Sequence, residues 1–193
     1  MMEKSLSGEL DSFLAPFSFL SKLTFRHSGL DTTKFDSTTL VTVPNVNRKG
    51  FWEANVDDAA VGNQTLGLQG RTAILDTGEK KNCKHSFVVM TNYWISLGTT
   101  LAIIPTQDAI TIHQQIPGAT FDGTSTFTVP CNTATVVSFT FGGRAFAIDP
   151  RDLAFIPVDA ANAQTGDCVS GISAGNFGGP TQWLVRLFFL NFV

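Results

Sequence analysis

The sequence predicts an all-β domain with one or two short helices, and three observations carry that prediction. Short apolar stretches alternate large with small or polar side chains at a period of two. Gly, Pro, Asn and Asp separate those stretches at short intervals. No segment carries a sustained helical or heptad pattern of apolar residues.

The elements follow in chain order. Phe17-Ser18-Phe19-Leu20 and Leu23-Thr24-Phe25 alternate large and small residues. Leu40-Val41-Thr42-Val43 stops at Pro44, and Phe51-Trp52-Glu53-Ala54-Asn55-Val56 runs into Asp57-Asp58. Later stretches are Thr126–Pro130, Val136–Phe141 and Ala145–Ile148. Gly142-Gly143 joins the last two and reads as a hairpin, because glycine tolerates the positive φ of a tight turn. The one helical reading before the last third is Pro105–Ile116, which opens on a proline suited to a first turn and sets Ile110 and His113 on one face.

At 193 residues, with 43% apolar residues, 17 Phe and 15% charged residues, the chain can bury a single substantial core. A net charge of −3 does not supply the basic stripe that nucleic acid requires. No apolar run reaches the roughly 18 residues that span a bilayer. The expectation is therefore neither a nucleic-acid nor a membrane partner. The start, MMEKSLSGELDSFLAPFSFL, lacks the basic start, continuous apolar core and cleavage site of a signal peptide. Three cysteines allow one pair and one left over in an oxidising compartment; Cys83 lies in a segment unlike the rest. Asn63-Gln64-Thr65, in a polar turn, is an N-glycosylation sequon. His27, His85 and His113 have no metal-ligand spacing, and neither metal nor cofactor is expected. Ser170 and Ser173 flank Gly171 without a nucleophile elbow or a matching His. Asp149, Asp152 and Asp159 read as turn and cap residues.

The segment that stands out is Ala73-Ile74-Leu75-Asp76-Thr77-Gly78, an apolar strand that delivers a carboxylate into a Thr-Gly turn. Thr99-Thr100-Leu101-Ala102-Ile103-Ile104-Pro105 follows after residues 79–98. Those intervening residues differ in composition. They hold three of the seven lysines, the one Tyr and Cys83. Without them the text reads AILDTGTTLAIIP, which closely resembles the active-site signature of pepsin-like aspartic proteases.

Other segments resemble the same family. Gly29-Leu30-Asp31-Thr32-Thr33-Lys34-Phe35 is similar to a Gly-x-Asp-x-x-x-Phe stretch, and Gly50-Phe51-Trp52 to the opening of the next strand. Phe127–Cys131 and Gly166–Gly171 resemble the two arms of the family's C-terminal-lobe disulfide, which implies a Cys131–Cys168 bridge with Cys83 outside it. Phe146–Leu153 is similar to fungal members. The resemblance covers residues 17–78 and 99–185. It implies a single lobe of the bilobal, barrel-like acid-protease fold, here a partial peptidase domain across residues 1–193.

The same resemblance implies acid hydrolysis of peptide bonds by two aspartates that activate a water, with Asp76 as one of them. Thr77 and Gly78 would form the active-site turn, and Thr99 and Thr100 would continue it. The implied partners are a peptide or protein substrate and a missing N-terminal lobe, in a parent protein that is extracellular or vacuolar. Two departures matter. Arg186 stands where the family places a glycine after its Trp-Leu-Val strand, and residues 79–98 lie outside the family pattern. Codons available for Gly78-Glu79 and Leu97-Gly98 contain donor-like and acceptor-like splice sequences, so 79–98 resembles a retained intron; the alternative is a true surface loop. The chain alone is expected to be inactive. The competing readings are a retropepsin-like homodimer, in which two copies each supply one Asp, and a non-catalytic secreted β-domain that keeps a half-cleft for peptide.

Overall fold

A computed structural model describes residues 17–19, 38, 40–76 and 102–186. In chain order the first strands are β1 (Phe17–Phe19), β2 (Val41–Val43), β3 (Glu53–Val56), β4 (Asp58–Val61), β5 (Gln64–Thr65) and β6 (Arg71–Asp76). Then come β7 (Ala102–Ile104), helix α1 (Thr106–His113), β8 (Thr120–Phe121), β9 (Phe127–Pro130), β10 (Val137–Phe141) and β11 (Arg144–Ala147). Helix α2 (Pro150–Leu153), β12 (Ala154–Pro157), β13 (Asp167–Ser170), β14 (Ile172–Ala174) and β15 (Gln182–Arg186) complete it. The all-β class with short helices holds.

The strands form a β1-β2 ribbon, two four-stranded sheets ordered β11-β10-β4-β5 and β12-β13-β9-β8, and a five-stranded sheet ordered β14-β7-β15-β6-β3. Alternation in sequence becomes alternation in burial: Val137, Phe139 and Phe141 of β10 face the core and the residues between them do not. Strand β6 behaves differently. It lies between β15 and β3, and Ala73, Ile74 and Leu75 are all buried, as expected for a central strand covered on both faces. The core centres on Trp183 of β15, whose ring stands 5.0 Å from that of Phe139.

The Asp57-Asp58 pair is a corner as well as a turn. The single residue between β3 and β4, Asp57, passes the chain from the five-stranded sheet into β4. The Asp58 carboxylate makes this corner possible by accepting from the backbone N–H groups of Ala59 (2.7 Å), Leu68 (2.8 Å) and Gly67 (3.2 Å). The Gly142-Gly143 hairpin forms with φ of 55° and 77°. Val41 and Val43 of β2 pack so closely over Gly142 that an added Cβ would lie 2.9 and 2.8 Å from their methyl carbons.

Helix α1 starts one residue later than the sequence suggests, with Pro105 at the N-cap, and buries Asp108, Ala109, Ile112 and His113; Ile110 is only partly buried. Asp149 and Asp159 are caps. Asp149 accepts from the Arg151 N–H at the start of α2, and Asp159 accepts from the Ala161 N–H of a short 3-10 turn. Cys131 and Cys168 form a disulfide with Cα atoms 4.9 Å apart, tying the end of β9 to β13 across 37 residues. A loop of that size contributes about 3–4 kcal/mol by its effect on the unfolded chain.

Candidate active site

Asp76 is the last residue of β6 and is half-buried, at the point where a buried strand meets the surface. Its neighbours in the sheet are specific. Strand β15 runs parallel to β6 with Arg186 in register with Asp76 and Val185 with Leu75. On the other side the Leu75 N–H donates to the Trp52 carbonyl at 2.8 Å, just before β3. Register neighbours in adjacent strands share a sheet face, so Arg186 and Asp76 stand on the same face at the end of the sheet. The sequence had marked both positions, one as the acid and one as a departure from a glycine.

Strand β7 flanks β15 on the side opposite β6, antiparallel to it, with Ala102 in register with Val185. The two halves of the split motif therefore end at the same edge of one sheet, separated by a single strand. At the usual interstrand spacing that gap is about 10 Å. Thr77, Gly78, Thr99 and Thr100, together with Cys83 and the whole of 79–98, lie outside the described residues.

Two buried polar networks fix the strands that present Asp76. At the start of β6, the Arg71 guanidinium donates twice to Asp108 of α1, through Nε at 3.1 Å and Nη2 at 2.8 Å. The Trp183 indole N–H donates to the same carboxylate at 3.0 Å. Asp108, only 2% exposed, thus joins α1, β6 and β15. Paired in this way its charge is tolerated, and the hydrogen bonds that Arg71 donates to Asp108 raise the Arg71 pKa. At the start of β3, Glu53 accepts from Thr72 of β6, Gln182 of β15 and Asn47. Burial alone would raise the Glu53 carboxyl, but those three hydrogen bonds, with Lys49 nearby, outweigh it and hold it below the usual carboxylate range. Both networks are structural: each carboxylate is satisfied by groups that also hold the sheet together.

Sequence reasoning left Ser170 without a histidine partner, and the structure supplies one. The His113 Nδ1–H donates to the Ala109 carbonyl at 2.8 Å, and Nε2 accepts from the Ser170 hydroxyl at 2.9 Å. The pair is not a nucleophilic centre. Ser170 is 1% exposed and His113 3%, and the Ser170 oxygen also accepts from the Ile172 N–H. The imidazole stacks on Phe127 at 3.9 Å, and burial pushes its pKa down to about 4 against the favourable Ala109 carbonyl. Fifty-seven residues separate the partners, and no local spacing signals such a pair. Among the described residues no group of three or more His, Cys, Asp or Glu is arranged to hold a metal ion.

The family model for eukaryotic aspartyl proteases matches residues 21–191. The chain belongs to the eukaryotic, pepsin-like aspartyl protease family. The probable aspartic-type endopeptidase CTSD of Arthroderma benhamiae is 33% identical over 162 residues, which cover 83% of this chain and 26% of that protein. Rhizopuspepsin of Rhizopus chinensis is 32% identical over 151 residues, covering 77% of this chain and 31% of that one. A probable vacuolar protease A of A. benhamiae is 29% identical over 162 residues, covering 82% and 33%. The chain spans about a quarter to a third of the aspartyl protease relatives that it matches.

Proposed function

We propose that this chain carries the C-terminal lobe of a pepsin-like acid endopeptidase, with Asp76 as one of two catalytic aspartates. The observation that carries the reading is the placement of Asp76 at the exit of β6, an interior strand of the five-stranded sheet held between β15 and β3. Strand β6 is held at its start by Asp108 and Glu53, so its far end presents the carboxylate from a rigid base.

Chemistry of this class needs two carboxylates that share a proton and hold one water between them. Like charges that close cannot both ionise, so one stays protonated and polarises the scissile carbonyl while the other takes a proton from the water. Asp76 is one such group. The second belongs to a lobe that this chain does not supply, in keeping with the fraction of each relative that it spans. A lone carboxylate has no partner to split the two protonation states, so this polypeptide by itself is inactive. Thr77, Gly78, Thr99 and Thr100 form the turn around the acid once 79–98 is absent. The register of Arg186 with Asp76 sets a cation where a glycine would leave the carboxylate open to water and to its partner. The disulfide fits an oxidising compartment, and a secreted or vacuolar parent protein follows from it and from the fungal relatives.

The test compares the chain with a repaired protein that carries an intact first lobe, lacks residues 79–98 and has Arg186→Gly. Both receive a denatured protein substrate at acid pH. The repaired protein cleaves it, Asp76→Asn in that background abolishes cleavage, and the bare chain does nothing. Cleavage by the bare chain that Asp76→Asn removes would instead establish a homodimer of two Asp76 groups. An inactive repaired protein would overturn the assignment.

A further inference from the structure

One motif from the sequence lies outside the catalytic reading. Asn63 and Gly62 form the two-residue connection between β4 and β5, with Val61 in register with Gln64 and Ala60 with Thr65. Gly62 takes the positive φ of 57° that such a tight connection requires, and a Cβ built on it would meet nothing within 4 Å. The hairpin is nevertheless held in place. The Gly62 N–H donates to the Val136 carbonyl at 2.8 Å, and the Leu66 N–H donates to the Ala59 carbonyl at 2.9 Å. Asn63, Gln64 and Thr65 are all exposed, Asn63 in the turn and the other two on β5, the last strand of the β11-β10-β4-β5 sheet.

We propose that Asn63 is a modification site that accepts an N-linked oligosaccharide. The triplet Asn63-Gln64-Thr65 satisfies the acceptor pattern, its middle residue is not proline, and it is the one such triplet in the chain. The fold tolerates the product because the acceptor residue is exposed at a hairpin tip and outside the core. The disulfide points to the compartment in which this transfer occurs. The donor is an oligosaccharide joined through its first sugar to a lipid diphosphate. The Asn63 Nδ2 forms a bond to the anomeric carbon and gives up one proton. The bond between that carbon and the phosphate oxygen breaks, and the lipid diphosphate leaves. No oxidation or reduction is involved.

The site has a structural consequence. Strand β5, only two residues long, is the edge of its sheet among the described residues, and a bulky solvated chain beside it blocks edge-to-edge pairing between copies. Asp76 belongs to a different sheet, so the modification is independent of the acid chemistry.

The experiment produces the full chain behind a cleavable secretory leader in a eukaryotic host. Intact mass is read before and after peptide N-glycosidase, on cell-associated and secreted material alike. The expected result is an oligosaccharide mass that the enzyme removes, with Asn63 converted to Asp in the β4–β5 peptide. Asn63→Gln and Thr65→Ala each abolish the added mass, and Thr65→Ser, which keeps the hydroxyl, retains it. Leader cleavage reports entry into the compartment regardless of how well any variant folds. A leader-cleaved chain without oligosaccharide, or an added mass that survives Asn63→Gln, would overturn the proposal.

Discussion

His113 illustrates what a single buried residue does to the pH dependence of stability. Its folded pKa of about 4 lies below the ordinary 6.5 because burial disfavours the charged ring. The unfolded chain therefore binds a proton that the folded chain refuses, and stability falls as pH drops from about 6.5 to about 4. Below that window the loss is constant. With roughly 1.4 kcal/mol per pKa unit, the total is about 3 kcal/mol. Chemical denaturation of the chain across that range should show this slope, and His113→Gln should flatten it. Glu53 acts lower, because its depressed carboxyl begins to lose its contribution as pH falls past the ordinary carboxylate value and has lost it below its own folded pKa. Equal slopes for wild type and His113→Gln between pH 6.5 and 4.5 would show that the imidazole does not titrate against burial.

The β10–β11 hairpin is the element in which local and tertiary demands coincide. Gly142 has a φ of 55°, which a side chain rarely adopts, and β2 leaves no room above it for a Cβ. The adjoining Gly143 N–H donates to the Asp57 carboxylate at 2.7 Å, so the turn also clasps the corner where the chain changes sheet. Gly142→Ala should therefore cost about 1–3 kcal/mol, through strain and the displacement of Val41 and Val43. Gly143→Ala carries the positive φ but meets nothing within 4 Å, so it should cost less. Thermal melts of the two variants test the contribution of β2: equal losses would mean that the turn strain acts alone.

At the scale of the whole molecule, the described sheet closes without residues 79–98. Asp76 and Ala102 stand one strand apart, about 10 Å. Five residues, Thr77, Gly78, Thr99, Thr100 and Leu101, span that distance with slack at up to about 3.3 Å each. Deleting 79–98 should therefore preserve the fold and raise thermal stability or soluble yield, because the described strands pair without it and a shorter connection costs less closure entropy. Circular dichroism and the Cys131–Cys168 bridge would report the retained fold. A deletion variant that lost both would mean that the segment belongs to the core.

Much of this protein was legible in its sequence because the signals are local. Period-two alternation marked β10, Gly142-Gly143 marked its turn, and the run Ala73–Asp76 marked the strand that carries the acid. Each depends on residues within a few positions of one another, where side-chain direction and φ preference act directly. Family resemblance added the Cys131–Cys168 bridge, which three cysteines alone left open. The rest was decided by the tertiary structure, because it depends on neighbours far apart in the chain. Nothing near Asp108 announces that it joins Arg71 to Trp183, and nothing near Ser170 announces His113. Strand β15 lies far from β6 along the chain, and their parallel pairing sets Arg186 beside Asp76 in register. Sequence named the acid; the sheet register chose its neighbour.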